Sequence, residues 1–231
     1  MKIKILVFIL IANIAIVFGQ KSGSIIYKIQ PITFKVNDNA KQKGLINEII
    51  NIAEQQKFVL EFNTKQSKFY YKEDLSNQEL KENPINKIAA TRFTSDFDYF
   101  LDYDRKKEFF LKNDGYTIEN TYLEKDWKIT SETKKIDKYL CYKATYEYEY
   151  IGRDNKSKTR IITAWFAPSL PFHYGPKNYN GLPGLILELQ DWDTTFLATK
   201  IEFFDKEIKI DFPKGKTITQ EEYERKVLSG N

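Results

Sequence analysis

From Asp96 to Phe204 the chain reads as one short β-patterned segment after another, and this run limits the possible folds more than any other feature. Tyr99 to Tyr103, Glu108 to Lys112, Tyr116 to Thr121, Trp127 to Ser131, Tyr139 to Tyr150, Thr159 to Ala167, Leu185 to Gln190 and Thr195 to Phe204 all read as strands. Turn-prone pieces such as Asn113-Asp114-Gly115 and Gly152-Arg153-Asp154-Asn155 separate them. Parallel strands need crossover helices, and none fits in the gaps. The run therefore predicts an antiparallel meander.

The flanks add helices. Gly23 to Phe34 alternates loosely and suits a first strand. Between Ala40 and Gln56 the period changes: Leu45, Ile46, Ile49, Ile50, Ile52 and Ala53 fall on one helical stripe. Phe58 to Phe62 and Ser67 to Tyr71 form two strands joined by a turn around Asn63. Ser76 and Glu79 have capping-box spacing, but Pro84 limits any helix there to a short piece. Thr219 and Glu222 predict the start of a C-terminal helix, with Arg225 and Lys226 near its far end complementing the macrodipole. The expected fold is mainly β (α+β): a curved antiparallel sheet or half-barrel meander, packed on the N-terminal amphipathic helix and closed by a short C-terminal one.

Residues 1 to 19 stand apart. Lys2 and Lys4 precede an apolar stretch from Ile5 to Phe18, and Gly19 comes just before polar Gln20, Lys21 and Ser22. This is the layout of a secretory signal peptide cleaved after Gly19. The apolar stretch is too short for a membrane anchor, which needs about 20 residues. The expected product is a single domain over 20–231, exported to the periplasm or medium and not membrane-spanning once the signal is removed. One Cys cannot form an internal disulfide, and one Cys with one His cannot build a Cys/His zinc site. No cofactor or metal is expected. The formal charge of +4 is spread among interspersed signs, and Arg105-Lys106-Lys107 and Lys134-Lys135 are flanked by acids. Nucleic acid is therefore not an expected partner.

Within Tyr139 to Tyr150, Tyr142, Ala144, Tyr146, Tyr148 and Tyr150 share one face of a strand. Three readings stand: a sheet face packed on the helix at 40–56, a partly open cavity for an apolar ligand, or a protein-binding surface. Tyrosine favours the wetter alternatives, because each hydroxyl wants a partner.

The longest irregular stretch runs from Pro168 to Gly184, ending in Gly181-Leu182-Pro183-Gly184-Leu185-Ile186. Pro183 and Gly184 suit the second and third positions of a type II turn, which would feed Leu185, Leu187 and Leu189 into the sheet on one face. Gly181 to Ile186 reproduces the hexapeptide that names the GLPGLI family, which this chain resembles. Cys141-Tyr142-Lys143-Ala144, Thr163-Ala164-Trp165-Phe166-Ala167-Pro168 and Gly175-Pro176 match further family segments, as do the signal peptide and Asp211 to Lys216. The resemblance implies an exported protein of Bacteroidetes-type bacteria with no established activity, so it supplies no catalytic residue.

Chemistry must then be sought residue by residue. His173 is the single histidine of the chain but sits in no recognisable catalytic frame. Cys141 is a nucleophile only if it meets His173 and its thiolate is stabilised; a buried, inert thiol is the simpler reading. Asp191 and Asp193, with Glu188 nearby, could bind Ca²⁺ or act as an acid/base pair, although tight turns also select Asp. The expected role is an envelope binding or accessory protein whose apolar ligand or protein partner meets Trp165, His173, Tyr174, Tyr179, Leu182, Pro183 and Trp192. The alternative is a hydrolase using Cys141 with His173, or carboxylates near Asp191.

Overall fold

The computed structural model describes residues 21–31, 40–72, 85, 88–89, 97–112, 114–152 and 154–229. The expected signal peptide, the capping box at Ser76 and the Asp96 end of the strand run lie outside them. The described chain forms β1 (Ser22–Pro31), α1 (Ala40–Gln55), β2 (Lys57–Asn63), β3 (Gln66–Lys72), β4 (Phe97–Asp102), β5 (Lys107–Lys112) and β6 (Thr117–Thr121). There follow β7 (Lys128–Ile136), β8 (Tyr139–Ile151), β9 (Ser157–Ala167), β10 (Leu185–Asp191), β11 (Thr194–Phe204), β12 (Thr217–Ile218) and α2 (Gln220–Ser229). The mainly β expectation holds.

All twelve strands belong to one open sheet, ordered β12-β6-β5-β4-β3-β2-β1-β11-β10-β9-β8-β7. It is two meanders, β2 to β6 and β7 to β11, joined through β1, which pairs antiparallel with both β2 and β11. The short β12 pairs parallel to β6, an exception to the antiparallel rule that two residues could not signal in sequence. Residues 122–127 alone connect β6 to β7, although ten strand spacings separate them in the sheet order. That link reaches about 25 Å at about 3.5 Å per residue. In a flat sheet the same strands would lie about 48 Å apart at about 4.8 Å per spacing. The sheet must therefore curl until its two ends approach.

The concave face collects the core. Tyr27, Ile25, Leu60, Phe62, Phe166 and Phe196 are fully buried there, and each side chain of this size contributes about 1.5–3 kcal/mol on burial. The material filling the curl is the loop between β9 and β10. Leu170, Phe172, Tyr174, Tyr179 and Leu182 are all buried. The Phe172 ring lies 4.7 Å from that of Phe62, and the Tyr174 ring 5.9 Å from it. The loop is tied down by Leu185 N–H to Leu170 O (2.9 Å), Ile186 N–H to Tyr174 O (3.0 Å) and Gly181 N–H to His173 O (2.9 Å).

Two local expectations change. Helix α1 forms, but it does not cover the tyrosine face. It runs beside β1; Ala53 packs with Ala89, flanked by Ile49, Ile50 and Ile52, while Leu45 is exposed. Among the described residues, none of α1 joins the central cluster, because the tyrosine face lies several strands from β1. The hexapeptide is also not a type II turn. Gly184 has φ 156°, far from the value near +80° that the third position requires, and Leu185 N–H bonds outside the hexapeptide. Glycine is needed at 184 for close approach: a Cβ there would sit 2.2 Å from the Ala167 carbonyl oxygen. The positive φ of 98° falls on Gly181 instead. A bulge between Ile186 and Glu188 then breaks the alternation, so Leu185, Ile186, Leu187 and Leu189 are all buried.

Candidate functional site

The register of β8 against β9 sets Tyr146 opposite Ile162 and Tyr148 opposite Arg160, so these side chains share the concave face. The loop plugs the part of that face nearer Phe166. Toward the Ile151 end, Tyr146, Tyr148 and Tyr150 remain half-buried. Their rings continue into a ladder: Trp127 to Tyr146 5.7 Å, Tyr146 to Tyr148 5.8 Å, Tyr148 to Tyr150 6.3 Å, and Tyr150 to Trp192 6.3 Å. Trp192, at the tip of the β10–β11 hairpin, is 53% exposed and holds φ at 60°, a region that a bulky side chain enters at a cost of about 1–2 kcal/mol. Trp127 is anchored by its indole N–H, which donates to Asn180 O at 3.0 Å.

Beneath the ladder lies an ionic cluster. Arg160 stacks its guanidinium 3.9 Å from the Trp192 ring centre and also faces Tyr148 and Tyr150. Its Nη1 donates to the Tyr148 hydroxyl at 2.9 Å and lies 3.7 Å from Asp191 Oδ1. Lys177, from the loop, donates to Asp191 Oδ2 at 2.7 Å, with both side chains almost buried. Burial raises the pKa of Tyr148, and the Arg160 hydrogen bond partly offsets the rise. Burial raises Tyr179 strongly, with Asp191 adding to the effect. Neither Arg160 Nε nor Asp191 Oδ1 has a hydrogen-bond partner.

The residues expected from sequence divide into three places. Tyr179 and Trp192 meet at this cluster. His173, Tyr174, Leu182 and Pro183 lie at the other end of the plug: His173 Nδ1 donates to Leu182 O at 2.9 Å and its ring stacks on Tyr103 at 6.4 Å, while Pro183 is exposed. There Tyr122 and Glu108 are buried beside Lys125, which donates to Asn178 O at 2.6 Å. Burial raises the Glu108 carboxyl and lowers the Lys125 ammonium, each opposed by the other's charge. Trp165 is on the convex face under Lys134 (4.3 Å), whose ammonium pairs with Glu188 at 2.6 Å.

Cys141 and His173 are not brought together. The Cys141 thiol donates to Tyr139 O at 3.7 Å and has Lys134 and Glu188 as charged neighbours; burial pushes it up to about 11. Among the described residues, no group of three or more His, Cys, Asp or Glu side chains converges as a metal site. Nor is any helix there long and apolar enough to cross a membrane. Arg160, Lys177 and Trp127 were missed by sequence reasoning. The alternation that found the tyrosines carries no information on which β9 residue lies opposite them.

A family model described as "Protein of unknown function (Porph_ging)" matches residues 127–188. That span holds Trp127, β7, β8, β9 and the whole plug, and so most of the candidate site. No curated protein matches the sequence. Six chains of known structure match the fold. One, titled "Structure of PNGF-II in P21 space group", superposes with a TM-score of 0.54 at 18% identity, covering 90% of this chain and 33% of its own length. This chain therefore spans about a third of that structure, and the likeness concerns the fold.

Proposed function

We propose that this chain is an exported binding or accessory protein of the cell envelope, of the GLPGLI family, with the Trp127-to-Trp192 ladder as its ligand-binding surface. In this reading residues 1–19 are a signal peptide, and the curved sheet is a half-barrel whose interior is filled by its own loop. The observation that carries the proposal is the contrast along one face. Where the plug lies, Phe172, Tyr174 and Tyr179 are buried with Phe62 and Phe166; beyond it, Trp192 stands exposed over a buried ion cluster and the ladder tyrosines stay half-open. Exposed aromatic surface next to placed polar groups is what a binding site presents.

The test is mass spectrometry of the protein purified from its native envelope, alongside Trp192→Ala. A molecule retained by the wild type and lost from the variant supports the proposal. Recovery of nothing, or equal recovery from both, overturns it. N-terminal sequencing of the exported product should begin at Gln20; an intact N-terminus would remove the export reading.

A further inference from the structure

Building on the ladder as a binding surface, we infer that its ligand is a neutral saccharide chain, with one hydroxyl engaging Arg160 and Asp191 while a sugar ring stacks on Trp192. Three observations select this class. Arg160 Nε is a donor without a partner, and Asp191 Oδ1, on a side chain 9% exposed, is an acceptor without a hydrogen bond, both within one ion pair. A hydroxyl accepts from the first and donates to the second, because it carries one O–H and two lone pairs. A hydrocarbon satisfies neither and leaves both buried groups unpaired.

The second observation weighs against an anion. A carboxylate or phosphate is bound by the open fork of an arginine. Here Nη1 is spent on the Tyr148 hydroxyl, and three aromatic rings lie within 6 Å of the guanidinium carbon. Lys177 is held by Asp191 Oδ2, and Asp191 would repel an incoming anion.

The third is the ladder. Tyr148, Tyr150 and Trp192 follow one another at centroid spacings of 6.3 Å, each ring tilted 51° to the next, and form a half-open aromatic strip along which a chain of sugar rings can lie with its apolar faces inward. The Trp192 ring covers the Arg160 guanidinium at 3.9 Å, so the indole must swing outward to admit the hydroxyl. Its place on an exposed hairpin tip with strained φ makes it the movable part.

The test is titration of the full mature chain with neutral tetrasaccharides of β-1,4-glucose, β-1,4-N-acetylglucosamine and α-1,6-mannose, read by tryptophan fluorescence and calorimetry. Palmitate and lysophosphatidylcholine are titrated in parallel. Saturable binding of a tetrasaccharide is expected, weakened about ten-fold or more in Trp192→Ala. It should be unchanged in Ile161→Ala, which alters the opposite face of the strand that carries Arg160. Thermal melts of each variant establish that the fold is intact. Binding of the lipids but of no saccharide overturns the saccharide assignment and leaves the ladder as a ligand site. No response to either class overturns both. Saccharide binding that survives Trp192→Ala places the ligand elsewhere and overturns the inference.

Discussion

The hydroxyl of Tyr27, fully buried at the centre of the sheet, donates to the backbone carbonyl of Ile186 at 2.6 Å. This bond fastens the end of the plug to β1, where the bulge after Ile186 interrupts pairing with β9. It also gives a reason for a tyrosine at a position where an isoleucine or phenylalanine would bury as much apolar surface.

Tyr27→Phe keeps the ring and its edge contact with Phe69 but strands a buried acceptor. The expected cost is about 1–3 kcal/mol, seen as a fall in thermal midpoint of several degrees. Amide exchange should quicken at Leu185 and Ile186 more than in β2. A uniform change across the sheet would show that the bond does not fasten the plug in particular.

Two glycines should respond differently to alanine. At Gly184 the new methyl group would collide with the Ala167 carbonyl, which belongs to a paired strand and cannot turn aside. Gly184→Ala should cost about 3 kcal/mol in urea denaturation. At Gly115, with φ 89°, a Cβ meets nothing within 4 Å, so Gly115→Ala should cost only about 1–2 kcal/mol of backbone strain. Equal costs would mean that the 167–185 contact yields freely.

The Cys141 thiol leads to a pH prediction. Its folded-state value lies above the ordinary one, from 9.0 to about 11, through burial. A raised value means that the folded state favours the protonated form. The associated stability is present below the ordinary value and is lost as pH rises through the folded one. Relative to Cys141→Ala, the wild type should therefore lose up to about 1.4 kcal/mol per pH unit between about pH 9 and 11, and nothing below about pH 8. Alkylation by iodoacetamide at pH 8 should be slow in the native protein and fast in urea. Rapid native alkylation would contradict the inert thiol.

How much of this was legible in the sequence depends on the distance over which each feature is decided. Strand β8 showed itself by alternation from Tyr142 to Tyr150, because one of its faces is interior and the other is wet. The Thr219–Glu222 capping box was equally local, and both of its hydrogen bonds form, at 3.1 and 2.9 Å. The length of β7 was cut short at Ser131 because an edge strand with both faces largely exposed has no pattern to display. The central position of β1 is set by pairing with residues nearly 180 positions away. Arg160, Lys177 and Asp191 come from a strand, a loop and a hairpin tip, and only the register brings them together. The plug was legible as an irregular stretch, but its destination was not, since its prolines and glycines signal turns equally well on a surface or inside a curl.

The Lys177–Asp191 pair decides whether the cluster under Trp192 is held by electrostatics. Its side chains are 12% and 9% exposed, so Lys177→Met leaves a buried carboxylate with only the 3.7 Å approach of Arg160. Breaking a buried pair on one side costs about 3–5 kcal/mol, while methionine preserves the packing against Phe196. The loss should persist in high salt, because buried charges are poorly screened. The exposed Lys209–Asp211 pair, at 2.6 Å, is the contrast: Lys209→Met should leave the denaturation midpoint where it was. Adding Asp191→Asn to Lys177→Met removes the stranded charge, so the double variant should be more stable than Lys177→Met alone. If it is less stable, Asp191 is held chiefly by Arg160 and the cluster does not depend on the loop.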